Sequence, residues 1–144
     1  MPKLRLLQVA LLTGVLAAGS AAAETVRLSA NLQPSGEVPP TATKGAGAVD
    51  ATYDTATHLL RWTVTYENLT GPATAAHFHG PAPVGQNAGV QVPIPKDELA
   101  SPIKGSKELT DAQGAELTSG KWYFNVHTKA HPAGEIRGQV MPAN

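Results

Sequence analysis

Four of the five histidines of this chain fall in two short segments, and the chain has no cysteine. The segments are Ala75-Ala76-His77-Phe78-His79-Gly80 and Asn125-Val126-His127-Thr128-Lys129-Ala130-His131-Pro132. Residues two apart on a β-strand share a face and lie about 6.6–6.8 Å apart along it. Imidazoles at that spacing can converge on a metal ion at about 2 Å from each nitrogen. One strand thus offers half of a coordination sphere through His77 and His79, and His127 offers part of the other half. His131 is no helical partner of His127, because Pro132 restricts it to an extended or turn conformation. It can fold back from its loop as a further ligand. Glu135 is the carboxylate best placed to complete the shell, or to orient an imidazole from outside it. His58 follows a turn with no such companion and reads as framework. Glu135 and Arg137 read equally as a cross-strand ion pair or hydrogen-bond network.

Alternation says which way these side chains face. Phe78 faces opposite to His77 and His79. In the second segment Trp122, Phe124 and Val126 share one side, and Tyr123, Asn125 and His127 the other. Burying a Phe or Trp side chain is worth about 2–3 kcal/mol, so the aromatic side turns into the core and the histidines stand on the reverse. Ile136 and Val140 face inward by the same rule, with Glu135, Arg137 and Gln139 outward.

The elements that must position them read as short strands punctuated by Gly and Pro. Strands are expected over Glu24–Leu32, Gly45–Tyr53, His58–Leu69, Ala73–His79, Val90–Ile94 (a Pro-limited edge), Lys121–Thr128 and Glu135–Met141. Asp54-Thr55-Ala56-Thr57 reads as a turn, and Pro81–Gln91 and Pro93–Gly105 as loops. Thr110 as N-cap with Gln113 three residues on, and Gly120 at the stop, predict one short helix near 111–119. The pattern implies an all-β fold: an antiparallel β-sandwich of Greek-key, immunoglobulin- or superoxide-dismutase-like type.

The N-terminus reads as a secretory signal peptide over residues 1–23. Lys3 and Arg5 precede the apolar stretch Leu6–Ala18, and Ala21-Ala22-Ala23 supplies an A-x-A site with cleavage after Ala23. The apolar run is too short to span about 30 Å of hydrocarbon, so no membrane span is expected in the mature chain. A secreted or periplasmic protein of a single domain, residues 24–144, follows. Setting Lys3 and Arg5 aside from the 11 basic residues leaves nine against 11 acidic ones, a formal charge near −2. With no basic stripe, nucleic-acid binding is not expected. The lack of cysteine excludes disulfides, thiolate metal sites, blue-copper centres and thiol nucleophiles. No serine stands in a nucleophile elbow and no carboxylates are paired at a defined spacing, so no catalytic residue is assigned. Asn68-Leu69-Thr70 matches a glycosylation sequon that matters only in a eukaryotic secretory pathway.

Four blocks carry a resemblance. Glu37-Val38-Pro39-Pro40, Ala75-Ala76-His77-Phe78-His79-Gly80-Pro81, Tyr123-Phe124-Asn125-Val126-His127-Thr128 and His131-Pro132-Ala133-Gly134-Glu135-Ile136-Arg137-Gly138-Gln139 occur in the order of the CHRD (chordin-type) domain. Together they span roughly residues 28–141. The resemblance implies an all-β extracytoplasmic domain found in bacterial secreted proteins as well as in chordin. Chordin's cysteine-rich, growth-factor-binding modules have no counterpart here, so that role is not carried over. The His77-Phe78-His79 strand also looks like the copper-ligand strand of Cu/Zn superoxide dismutase, but the dismutase disulfide and zinc loop are missing.

Three functions follow as expectations. The first is an exported module holding copper or zinc, whose affinity falls below about pH 6 as free imidazoles protonate. Met141 is the mature chain's single methionine, which argues against a Met-rich Cu(I) carrier. The second is a metal-free structural or adhesive module presenting its loops to a protein partner not named by the sequence. The third is a copper redox enzyme of dismutase type, tuned by Tyr123, Glu135 or Arg137.

Overall fold

In the computed structural model, which describes Gly19 and residues 22–143, the chain forms eight strands and one α-helix. The expected signal peptide lies outside the described residues apart from Gly19, Ala22 and Ala23. In chain order the strands are β1 (Thr25–Leu32), β2 (Ala46–Asp54), β3 (Leu59–Glu67), β4 (Ala73–His79), β5 (Val90–Pro93) and β6 (Ile103–Glu108). The helix α1 (Asp111–Thr118), β7 (Trp122–Thr128) and β8 (Ile136–Pro142) complete it. Among the described residues no helix is long and apolar enough to cross a membrane.

All neighbouring strands pair antiparallel in one eight-stranded sheet of order β5-β4-β7-β8-β1-β2-β3-β6. The all-β reading therefore holds, and its two faces of packing come from one nearly closed sheet. β8 makes the join: Ile136–Val140 pair with β7, while Met141 and Pro142 pair with β1. Although β3 and β4 stand far apart in that order, the Trp62 and Phe78 rings meet edge to face at 5.3 Å. The sheet must fold over for them to do so. Leu28, Leu32, Val49, Leu60, Val64, Phe124, Val126, Ile136 and Val140 fill the space between, each nearly fully buried.

Local chemistry fixes the elements. Asp54 Oδ1 accepts from the Ala56 and Thr57 amides at 2.9 Å each, which closes the β2–β3 turn. The Thr110–Gln113 capping box forms with both of its bonds, at 3.0 and 3.2 Å, and starts α1 as the sequence predicts. β6 is a strand where a loop is expected. Its sequence, IKGSKE, has one large apolar residue and no alternation. It forms because it pairs with β3 in register, with Gly105 opposite Trp62. A Cβ at Gly105 would lie 2.5 Å from the Trp62 ring, so the glycine leaves the space that the indole fills.

Register then sets the histidines. β4 and β7 pair Phe78 with Phe124, His79 with Tyr123, His77 with Asn125 and Ala75 with His127. His77 and His127 are thus diagonal neighbours, with the small Ala75 directly opposite His127.

Candidate metal centre

The alternation is as read: Phe78, Trp122, Phe124 and Val126 face the core. The reverse side, however, is not an open surface. His79 and His127 are each 9 % exposed, and Tyr123, Asn125 and Arg137 are buried as well. The loop between β4 and β5 covers them through several anchors. Ala88 exchanges two hydrogen bonds with the Tyr123 hydroxyl, at 3.0 and 3.1 Å. Arg137 donates to Asn87 Oδ1 at 2.8 Å and to the Gln86 carbonyl. Asn87 donates in turn to the Val38 carbonyl at 3.3 Å, and Gln139 to the Ala82 carbonyl at 2.8 Å. Alternation shows which side a residue takes; these loops decide whether that side is wet.

Under this cover one ring nitrogen from each of His77, His79 and His127 lies within 4.8 Å of the others. Two main-chain carbonyls fix the tautomers. The Ala88 carbonyl lies 3.0 Å from His79 Nδ1, and the Pro132 carbonyl 2.9 Å from His127 Nδ1. A carbonyl only accepts, so each Nδ1 carries the hydrogen and each neutral Nε2 is left as a bare lone pair. Both Nε2 atoms turn inward, toward Asn125. His77 Nδ1 lies 3.1 Å from His127 Nε2. Two ligands about 2.0–2.1 Å from one ion are separated by about 2.9–3.4 Å. Ligating histidines commonly give their other N–H to a carbonyl or carboxylate, and here two of the three already do so.

A column of flat groups stiffens one side. His79 stacks on Tyr123, with centroids 4.7 Å apart and planes 4° off parallel. The Arg137 guanidinium carbon lies 3.5 Å from the Tyr123 ring centroid, a cation–π contact. The predicted ion pair between Glu135 and Arg137 is not formed. Arg137 is held by Tyr123 and the 86–87 backbone and side chain, and Glu135 has other partners.

Glu135 is fully buried, and its carboxylate accepts from Thr128 Oγ1 at 2.8 Å, from Thr43 Oγ1 at 3.3 Å, and from the Thr70 amide and hydroxyl. It joins three chain segments and stands apart from the grouped imidazoles. His131 is half-buried and lines a groove between residues 37–42 and 130–134. Of the five expected ligands the structure groups His77, His79 and His127. His58 meets the Tyr53 hydroxyl at 3.2 Å and Asp111 at 3.3 Å, as framework. Asn125 and Glu37 join the site without having been singled out. The signal for Asn125 was present, since it shares the His127 face two residues away. The signal for Glu37 was its place at the head of the Glu37-Val38-Pro39-Pro40 block.

Burial holds His77 well below the usual imidazole range, at about 4, with the charges of His127 and His79 adding to it and Asn125 opposing. Burial lowers His79 too, against its bonds to Ala88 and Asn125. Protons therefore compete for these two nitrogens at lower pH than for free imidazole. Glu37 moves the other way: burial raises it to about 7, against the charge of Arg137 and hydrogen bonds from Asn125 and the Val38 backbone.

The two shifts oppose each other in stability. The unfolded chain takes up a proton at His77 below about pH 6.5 that the folded chain refuses, so this contribution is lost as pH falls from 6.5 toward 4. The folded chain keeps a proton on Glu37 that the unfolded chain releases above about 4.5, so this contribution is lost as pH rises from 4.5 toward 7. In metal-free Glu37→Gln protein the histidine side is unopposed by Glu37. Its Tm should rise steadily from about pH 4 to about pH 6.5, and adding His77→Gln should flatten the rise. A Tm that falls over that interval would mean the imidazoles are not held neutral.

No curated protein and no solved structure matches the chain. The family model described as the CHRD domain matches residues 28–140, from the middle of β1 to near the end of β8, and takes in every residue of the grouped site. The chain belongs to the CHRD domain family.

Proposed function

We propose that this protein is an exported module that binds a transition-metal ion, Cu(II) or Zn(II), through His77, His79 and His127. One observation supports this above the others. The Ala88 and Pro132 carbonyls hold the Nδ1 hydrogens of His79 and His127, so two Nε2 lone pairs face inward beside His77 Nδ1. Neutral imidazole suits both metals, and copper is the tighter of the two at a given nitrogen site. Export follows from the signal peptide read in the sequence. The three histidines suffice for the reading; Glu135 has the partners described above, and His131 lines the groove beside residues 37–42.

Titration of the purified protein with Cu(II) and Zn(II) by calorimetry tests it. We expect one ion per chain, with affinity falling by about 100-fold or more in His77→Ala and in His127→Ala, since even outer partners of a metal ligand cost about 10–100-fold. Bound metal should also raise Tm, and chelator should reverse the rise. Unchanged stoichiometry and affinity in both variants would make the histidines a hydrogen-bonded framework.

A further inference from the structure

We propose that Asn125 supplies the fourth donor of this centre through its side-chain oxygen, and that this donor makes the site favour Cu(II) or Zn(II) over Cu(I). The proposal rests on the metal reading of the three histidines. Asn125 Oδ1 lies 2.9 Å from His79 Nε2 and 2.9 Å from His127 Nε2. With the Nδ1 hydrogens committed to Ala88 and Pro132, both of those nitrogens are acceptors, and a carbonyl oxygen is an acceptor too. Three lone-pair donors thus face one another, and the one hydrogen that His77 Nδ1 can offer reaches His127 Nε2, so His79 Nε2 and Asn125 Oδ1 still oppose each other until a cation comes between them.

The amide is held in this sense from behind. Its nitrogen and the Glu37 carboxyl crowd the same spot beside Gly134, where a Cβ would lie 2.3 Å from Glu37 Oε1 and 2.8 Å from Asn125 Nδ2. Turning the amide over would bring its oxygen, in place of its nitrogen, against the Glu37 carboxyl. Gly134 is at φ +124°, a conformation that suits glycine, and its missing side chain leaves the space where these two groups meet. Separations of 3.1, 2.9 and 2.9 Å match donors about 2.0–2.2 Å from one ion at near-right-angle positions, and the imidazole nitrogens, spread over up to 4.8 Å, must draw in when it binds.

The donor set sets the preference. An amide oxygen suits the harder divalent ions, whereas Cu(I) favours thiolate and thioether sulfur. The chain has no cysteine, and Met141 is 48 % exposed in β8, on the strand beyond Val140. Among the described residues, no soft donor is therefore grouped with the imidazoles.

The test compares Cu(II) and Cu(I) affinities, by competition with chromogenic chelators, in the purified protein and in Asn125→Leu and Asn125→Asp, with the Cu(II) EPR spectrum of each. Asn125→Leu should lose about 10–100-fold in Cu(II) affinity, with Cu(I) affinity changing by less than about threefold and the Cu(II) spectrum shifting. Asn125→Asp, which puts a charged hard oxygen in the same place, should bind Cu(II) more tightly than the parent, raise the Cu(II)-to-Cu(I) ratio and shift the spectrum. Parent-like Cu(II) affinity and spectrum in Asn125→Leu, alongside loss of binding in His77→Ala and His127→Ala, would overturn the fourth donor while leaving the three-histidine site intact. Should Asn125→Leu fail to fold, Asn125→Asp decides alone, since an unchanged spectrum and an unchanged Cu(II)-to-Cu(I) ratio would overturn it as well. Histidine variants that bind like the parent would remove the centre itself.

Discussion

Glu135→Ala should cost the fold about 2–4 kcal/mol, a large part of a typical stability margin of about 5–15 kcal/mol. Its buried carboxylate gathers donors from Thr43 before β2, from Thr70 in the β3–β4 connection and from Thr128 at the end of β7. Truncation strands the buried Thr128 hydroxyl, at about 1–3 kcal/mol, and leaves a cavity, while the exposed Thr70 and the half-buried Thr43 can turn to water. Burial raises the Glu135 pKa, but the bonds from Thr70, Thr128 and Thr43 outweigh it and hold the group below the ordinary carboxylate value. A carboxylate depressed in this way stabilises the fold above its unfolded pKa, and that stabilisation goes as pH falls through the folded one. Glu135→Gln keeps the shape and one acceptor, so it should cost less than the alanine variant. It should bind metal like the parent, because the carboxylate faces threonines rather than imidazoles. Urea unfolding at neutral pH measures the first expectation; a loss below about 1 kcal/mol in Glu135→Ala would show that water replaces the carboxylate freely.

Phe78→Ala should destabilise by about 3–5 kcal/mol, which for a domain of this size lowers Tm by about 10–20 °C. Phe78 is fully buried, with the Phe124 ring at 4.8 Å, the Trp62 ring at 5.3 Å and the Trp122 ring at 6.2 Å. It is the contact through which the β4 and β3 parts of the sheet hold each other. The flanking His77 and His79 depend on that anchoring for their aim, so metal affinity should weaken together with stability. A thermal melt and a metal titration on the same sample check both. A Tm within a few degrees of the parent would mean that the cavity collapses without cost.

Much of this was legible in the residues. The period-two runs around Trp62, Phe78 and Phe124 place the large rings inside and His77, His79 and His127 behind them, because pleating leaves no other arrangement. The capping box of α1 is equally local, and so it is readable. What was not legible depends on other parts of the chain. β6 lacks an apolar rhythm and exists because β3 offers it a register with a vacancy for Trp62 over Gly105. Glu135 carries a charge at an outward position, which reads as a partner for Arg137. Only the fold shows that three threonines from distant segments reach it first. The carbonyls of Ala88 and Pro132 have no side-chain signature at all, though they decide which imidazole nitrogen is bare.

The double allegiance of β8 bears on how the molecule comes to be made. Its first residues zip onto β7 and its last two onto β1, more than a hundred positions upstream. Contacts of such long range close slowly. A nascent chain would hold β1, β2 and β3 as a ready meander while the ring stays open, until its final strand emerges. A polypeptide that delays its own closure in this way stays threadable for longer, a trait that suits the export proposed above.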